Sequence, residues 1–234
     1  YDPNIKKNNL NKINNHPSFK LIHGHLNDPS ALAKCFNFLS IECVIHLAAY
    51  AGVRPSIQNP TLYYEENIMA TLSLIEQCKI KKVKRFLFAS SSSVYGNNKK
   101  VPFSEKDPVD HPISPYAATK KAGELMCYNA HHLYGIEMAC IRFFTVYGPH
   151  QRPEMAIHKF TDMISKNQKI PVFNYGNCLR DYTYIEDIIQ GINKILHHKK
   201  ISYDIVNLGE LLNVLGQIET YSKIHYSNDN LTCS

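Results

Sequence analysis

Hydrophobic residues fall along the chain in short unbroken runs, separated by longer stretches in which they recur every three or four positions. "FKLIHGHL" (Phe19 to Leu26), "CVIHLAA" (Cys43 to Ala49), "RFLFASS" (Arg85 to Ser91) and "MACIRFF" (Met138 to Phe144) are of the first kind. Such runs mark strands buried on both faces of a parallel sheet. Helix-length segments lie between them. "DPSALAKCFNFL" opens with Asp28 as an N-cap and Pro29 in the first turn, and "NPTLYYEENIMATLSLIEQCKI" opens in the same way with Asn59 and Pro60. Strands alternating with helices predict an α/β fold of right-handed crossovers, a Rossmann-like doubly wound parallel sheet.

Beyond Pro153 the pattern changes to a helix ("MAIHKFTDMISKNQ"), a short strand ("IPVFNYG"), "RDYTYIEDIIQGINKILHH" and a last strand "YDIVNLG". This predicts an incomplete Rossmann-like domain over residues 1–153 and part of a smaller lobe over 154–234, interleaved with the sheet. The Asn/Lys-rich start reads as a solvated loop, and the polar stretch after Glu210 as a frayed or truncated end. No internal repeat is visible.

Composition narrows the classes. The chain has 234 residues, of which 44% are hydrophobic and 20% charged, an ordinary globular balance. It lacks a run of about 18 apolar residues and its start has no apolar signal-peptide core, so neither a membrane span nor secretion is expected and the cytoplasm is the default. The 7 cysteines are scattered and never spaced as C-x-x-C, which suits free thiols in a reducing compartment and neither a disulfide frame nor a zinc site. The histidine pairs His131-His132 and His197-His198 fall in predicted helices, where neighbours point apart, so no metal site is expected. Net charge is +6, densest at Lys79, Lys81, Lys82, Lys84 and Arg85. Cations at a helix C-terminus explain that patch, and without interleaved aromatics it does not predict nucleic-acid binding.

In doubly wound sheets ligands sit at the carboxyl ends of the strands. Three predicted strands end in unusual sequence: "AAYAGVRPS", "SSSSVYG" and "TVYGPHQRP". A serine cluster at one such end is followed by "SPYAATKK", in which Tyr116 and Lys120 stand four apart and share one helix face. A phenol of pKa about 10 is a poor base at neutral pH. A nearby ammonium favours its ionised form, and a serine hydroxyl can bridge to the same substrate oxygen. Helix surface alone also explains a Tyr-x-x-x-Lys pair, and a polar strand end also explains Ser91 to Ser93.

"HLAA", "FASSSSVYG", "SPYAATK", "RFFTVYGP" and "RDYTYIEDI", in that order, resemble the extended short-chain dehydrogenase/reductase family, specifically its NAD-dependent epimerases and dehydratases. "AAYAGVRPSIQNP", "DHPISPYAATKKAGEL" and "RFFTVYGPHQRPEMAIHKF" are similar to the UDP-glucuronate 4-epimerases of that family. The resemblance implies NAD that oxidises C4 of the sugar, a 4-keto intermediate that turns over in the pocket, and reduction on the other face. It implies Tyr116 as base, Lys120 as the group that lowers its pKa and holds the nicotinamide ribose, and Ser91 as hydrogen-bond donor to the 4-oxygen. Leu47, Ala48, Ala49 and Phe143 would line the dinucleotide, with Asn67 steadying that region.

For the nucleotide sugar, Arg152 and Arg180 are the expected contacts to diphosphate or uridine. Arg54, Ser92, Ser93 and Thr145 would surround the hexose. The resembling 4,6-dehydratases carry Asp-Glu where Ser92 and Ser93 stand, and the decarboxylating relatives carry a glutamate at Ser93, which favours an epimerase here. The family's first strand and glycine-rich phosphate loop have no counterpart in this sequence, and His25 stands where an adenine-side aspartate is expected. Two readings follow: an NAD-dependent epimerase of UDP-hexuronates or related nucleotide sugars, or an inactive fragment that binds neither NAD nor sugar. The family often pairs through the helix bearing Tyr116, which leaves a homodimer open.

Overall fold

The computed structural model describes residues 2–38, 40–172 and 180–209. Its strands are β1 (Cys43–His46), β2 (Arg85–Ser91), β3 (Glu137–Phe143), β4 (Thr145–Tyr147), β5 (Tyr182–Tyr184) and β6 (Tyr203–Leu208). The main sheet runs β1-β2-β3-β6 and every pairing in it is parallel, with Phe86 opposite Val44 and Met138, and Cys140 opposite Ile205. β4 and β5 form a separate parallel pair.

Helices cover both faces, as the apolar strand runs require. α2 (Pro29–Phe38), α5 (Ala70–Ile80) and α6 (Pro115–Tyr134) pack with Phe86, Phe88, Met138 and Cys140 on one side. The alternate strand residues Leu87, Ala139 and Ile141 point the other way, onto Ile188 and Ile195 of α8 (Ile185–His197). This two-period alternation is the doubly wound arrangement read from the sequence.

α6 is the element that matters most for the site. Ser114 caps it, accepting from the Ala117 amide at 3.1 Å, Pro115 starts it, and Gly135 closes it in the left-handed region at φ 67°. It lies flush on β2 because Gly123 presents no side chain: a Cβ there would run into the ring of Phe88. The predicted helix from Asn59 is also present, in three parts: α4 (Pro60–Tyr63), a π-helical turn (Tyr64–Met69) and α5.

Several expectations are corrected. Phe19 to Leu26 is not a strand. It pairs with no strand of the described sheet, and an unpaired strand is not stable in water. The polar start is not a loop but carries helix α1 (Pro3–Asn11), nucleated by Asp2, whose carboxylate accepts from the Asn4 amide at 2.8 Å, and by Pro3 at the first position. The basic patch is not one solvated face: Arg85 turns inward, pairs with Glu137 at 2.6 Å, and donates to the carbonyls of Leu196 and His198 at the end of α8. α3 (Val53–Gln58) and α7 (Ala156–Ser165) complete the described helices. Residues 170–172 of the expected strand at 170–176 are not in a strand, and its remainder, like the stretch from Glu210 onward, lies outside the described residues. Among the described residues no helix is long and apolar enough to cross a membrane.

Candidate functional site

The carboxyl ends of β2 and β3 open into a cavity of about 410 Å³. It is lined on the β2 side by Ser91, Ser92 and Ser93, and on the β3 side by Phe143 and Thr145, with Arg152 across the mouth. β2 ends by turning sharply: Ser91 accepts from the Ser93 amide at 3.2 Å and so caps the short turn Ser92–Tyr95. The cap aims three hydroxyls at one space, and Ser91 and Ser93 bond each other at 3.2 Å.

Tyr116 stands in the first turn of α6, where Ser91 and Arg152 act on its phenol. Burial pushes the phenol above its ordinary pKa, the hydrogen bond with Ser91 and the charge of Arg152 pull it down, and Tyr63 pushes it up. The ring meets Tyr63 edge-on at 6.3 Å. Lys120 lies one turn on, almost fully buried, with its ammonium 5.8 Å from the Tyr116 ring centroid and donating to the Ala89 carbonyl at 2.7 Å. Helical spacing places the pair on one face, and Ser91 and Arg152 are groups that favour the phenolate.

Burial pulls Lys120 down to about 8. Among the described residues no carboxylate pairs with it, so the folded state holds this charge at a cost. The folded pKa lies below the unfolded one, so the penalty is full below pH 8 and fades as pH rises toward the unfolded value of about 10.5. Lys120→Met is therefore expected to be more stable than the parent at pH 7. The gain is about 2 kcal/mol, once roughly 3 kcal/mol of relieved desolvation is reduced by the lost bond to Ala89. Urea titrations of both proteins at pH 7 and pH 10.5 should show the difference shrink with pH; a destabilised variant at pH 7 contradicts it.

The loop after β1 is held from behind. Asn67, in the π-helical turn, accepts from the Tyr50 amide at 2.7 Å and donates to the Tyr50 carbonyl at 3.0 Å and to Thr119 Oγ1 at 3.0 Å. Both of its amide hydrogens are engaged by protein, so it positions the loop and has no donor left for a ligand. Such π-helical turns are rare and fall frequently at functional sites. Thr71 donates to the Asn67 carbonyl at 2.6 Å, which leaves its oxygen to accept from His46 Nε2 at 2.9 Å and fixes the neutral His46 tautomer. Burial and then Lys120 depress His46 to about 4.

Of the other expected residues, Leu47, Ala48 and Ala49 stand exposed at the end of β1, and Arg54 and Arg180 are also exposed and do not line the cavity. His25, placed where an aspartate was expected, pairs with Glu66 at 2.9 Å. Sequence reading missed Phe144, Val146, His150, Gln151 and Met155, which complete the cavity wall. All five fall within or beside "TVYGPHQRP", so marking that whole segment as wall would have found them. Gln151 shapes it, donating to the Val146 carbonyl at 2.8 Å and accepting from the His158 amide at 3.3 Å.

A doubly wound sheet with serine, tyrosine and lysine gathered at its strand ends is the frame of the NAD dependent epimerase/dehydratase family, whose model matches residues 2–209; the chain belongs to that family. It is 44% identical over 209 residues to a UDP-glucuronate 4-epimerase of Thermodesulfobacterium geofontis, covering 89% of this chain and 64% of that one. It is 46% identical over 195 residues to UDP-glucuronate 4-epimerase 4 of Arabidopsis thaliana, covering 82% of this chain and 44% of that one. The crystal structure of UDP-glucuronic acid 4-epimerase from Bacillus cereus in complex with UDP-glucuronic acid and NAD superposes with a TM-score of 0.82 at 35% identity, over 88% of this chain and 65% of that one. The chain thus spans less than two thirds of the length of each of these proteins.

Proposed function

We propose that the chain carries the catalytic centre of an NAD-dependent nucleotide-sugar 4-epimerase acting on UDP-glucuronate and UDP-galacturonate. The observation that carries this reading is the cavity at the ends of β2 and β3, whose described lining holds Ser91, further hydroxyls and an arginine but no carboxylic acid, with Ser91 and Arg152 both favouring the Tyr116 phenolate. Elimination of water from the sugar would call for an acid and a base there, and assisted loss of carbon dioxide for an acid. Hydroxyls hold a carboxylate still and do neither.

In this reading Tyr116 takes the proton of the C4 hydroxyl and returns it after the ring has turned over. Ser91 hydrogen-bonds the same oxygen throughout, and Arg152 stabilises the phenolate while facing the anionic substrate. Ser92, Ser93 and Thr145 surround the hexose and its carboxylate. Arg180 and Arg54 approach the nucleotide end from outside the cavity wall. NAD, when bound, supplies reversible hydride acceptance at C4. Exposed Leu47 with small Ala48 and Ala49, the ring of Phe143 and the buried ammonium of Lys120 fit such a group, since small side chains at a strand end let a flat ring approach the backbone. Residues 154–209 we read as part of the lobe that takes the nucleotide sugar, with β6 returning to the sheet. The apolar face of α5 and α6, where Leu72, Leu125 and Leu133 are exposed, we read as the seat of a second copy.

The alternative is a chain that binds neither NAD nor sugar. Calorimetric titration of the 234-residue chain with NAD separates the two. The proposal expects one equivalent bound with micromolar affinity; no heat at millimolar NAD supports the second.

A further inference from the structure

Directly beneath the cavity lies a buried polar cluster that the proposed chemistry does not use. The side chains of Glu124 and Arg142 are 0% and 1% exposed and meet at 2.8 Å between Arg142 Nε and Glu124 Oε1. A second bond joins Arg142 Nη2 to Glu124 Oε2 at 2.9 Å. Ser90 Oγ donates to Glu124 Oε1 at 2.7 Å. Arg142 Nη1 donates to the Tyr95 hydroxyl at 2.9 Å, and Tyr95 donates onward to Asn207 Oδ1 at 2.8 Å.

A buried ion pair is a weak source of stability, because removing both charges from water offsets most of their attraction; a well-packed apolar pair of the same volume does as well or better. What distinguishes this cluster is the set of elements it joins. Tyr116, Lys120 and Glu124 stand one turn apart on a single face of α6. Ser90 precedes Ser91 on β2, and Tyr95 closes the turn that carries Ser92 and Ser93. Arg142 precedes Phe143 on β3, and Asn207 stands near the end of β6. Each of these elements is tied at one level, just below the groups it would present to a substrate. Apolar contacts tolerate a slide of a helix along a sheet. A bidentate charge-assisted pair does not, since sliding leaves buried charges unpaired.

We propose that the Glu124–Arg142 pair, with Ser90, Tyr95 and Asn207, is a positioning device that fixes α6 against the ends of β2 and β3 and so sets where the Tyr116 hydroxyl stands relative to Ser91. It acts through those two hydroxyls and rests on reading them as the reacting pair, but its test requires no turnover. The full chain is labelled with 13C at tyrosine Cζ, and the Tyr116 signal is assigned by its loss in Tyr116→Phe. At neutral pH the Cζ shift reports whether the phenol keeps its hydrogen bond.

Ser91→Ala should move the Tyr116 signal. Tyr95→Phe, which cuts the tie from Arg142 through Tyr95 to Asn207 and leaves the Glu124–Arg142 pair in place, should move it part of the way in the same direction, and the double variant should move it no further than Ser91→Ala alone. Ser90→Ala removes a single bond to Glu124, folds without strain, and should shift the signal in the same direction. A Tyr95→Phe protein with a lowered melting temperature and an unmoved Tyr116 signal overturns the proposal, as do additive shifts in the double variant or an unmoved signal in Ser90→Ala. Should the signals behave as expected while UDP-glucuronate is not turned over, the proposed function fails and the positioning role stands.

Discussion

Replacing Tyr116 by Phe is expected to lower turnover of UDP-glucuronate by about 10³-fold or more, the upper part of the range for a positioned acid–base group. The ring, its edge-on contact with Tyr63 and its place in the first turn of α6 are kept. What is lost is the hydroxyl on which Ser91 and Arg152 act. Stability should therefore move by no more than about 1 kcal/mol, the net worth of one hydrogen bond. Steady-state assay of product formation, with a melting curve beside it, checks both parts. A variant that keeps more than a tenth of the parent turnover would assign the proton transfer to another group.

The second large effect falls on stability. Glu124→Ala leaves Arg142, 0% exposed, without its counter-ion and Ser90 without its acceptor, and is expected to cost roughly 3–5 kcal/mol. Burial works against the Arg142 charge, but its bonds to Glu124 and Tyr95 outweigh burial and hold the guanidinium above its usual range. That balance is lost with the carboxylate. Urea titration should show a lower midpoint with an unchanged slope. Replacing both partners, Glu124 and Arg142, by Met should recover most of the loss, because the fully buried charge is removed with its partner and only the part-exposed Lys121, 3.7 Å from Glu124, loses an ion pair. If Glu124→Ala costs under about 1 kcal/mol, the pair is hydrated in solution and the positioning role loses its basis.

The sheet was legible because β2 and β3 are apolar on both faces, so "RFLFASS" and "MACIRFF" announce themselves without reference to neighbours. Phe19 to Leu26 shows the opposite case: its pattern is that of a strand, but a strand forms only with something to pair against, which a local pattern does not contain. Helix α1 was missed because it buries nothing and depends on the Asp2 cap and Pro3 alone. At the site, Tyr116, Lys120 and Ser91 were legible through spacing and resemblance, whereas the orientation of Lys120 toward Ala89 depends on a strand that packs against its helix. The buried cluster joins positions 90, 95, 124, 142 and 207, whose separations carry no periodicity. Two signals for it were present: a charged Arg142 inside an apolar strand, and Glu124 one turn beyond Lys120.

The most direct test is to incubate the protein with saturating NAD and UDP-glucuronate and follow the sugar by proton NMR. The cavity lined by Ser91 and further hydroxyls, with no carboxylic acid in its described lining, predicts conversion to UDP-galacturonate until the two sugars equilibrate, with the carboxylate retained. A UDP-pentose, a dehydrated sugar, or unchanged UDP-glucuronate would contradict it.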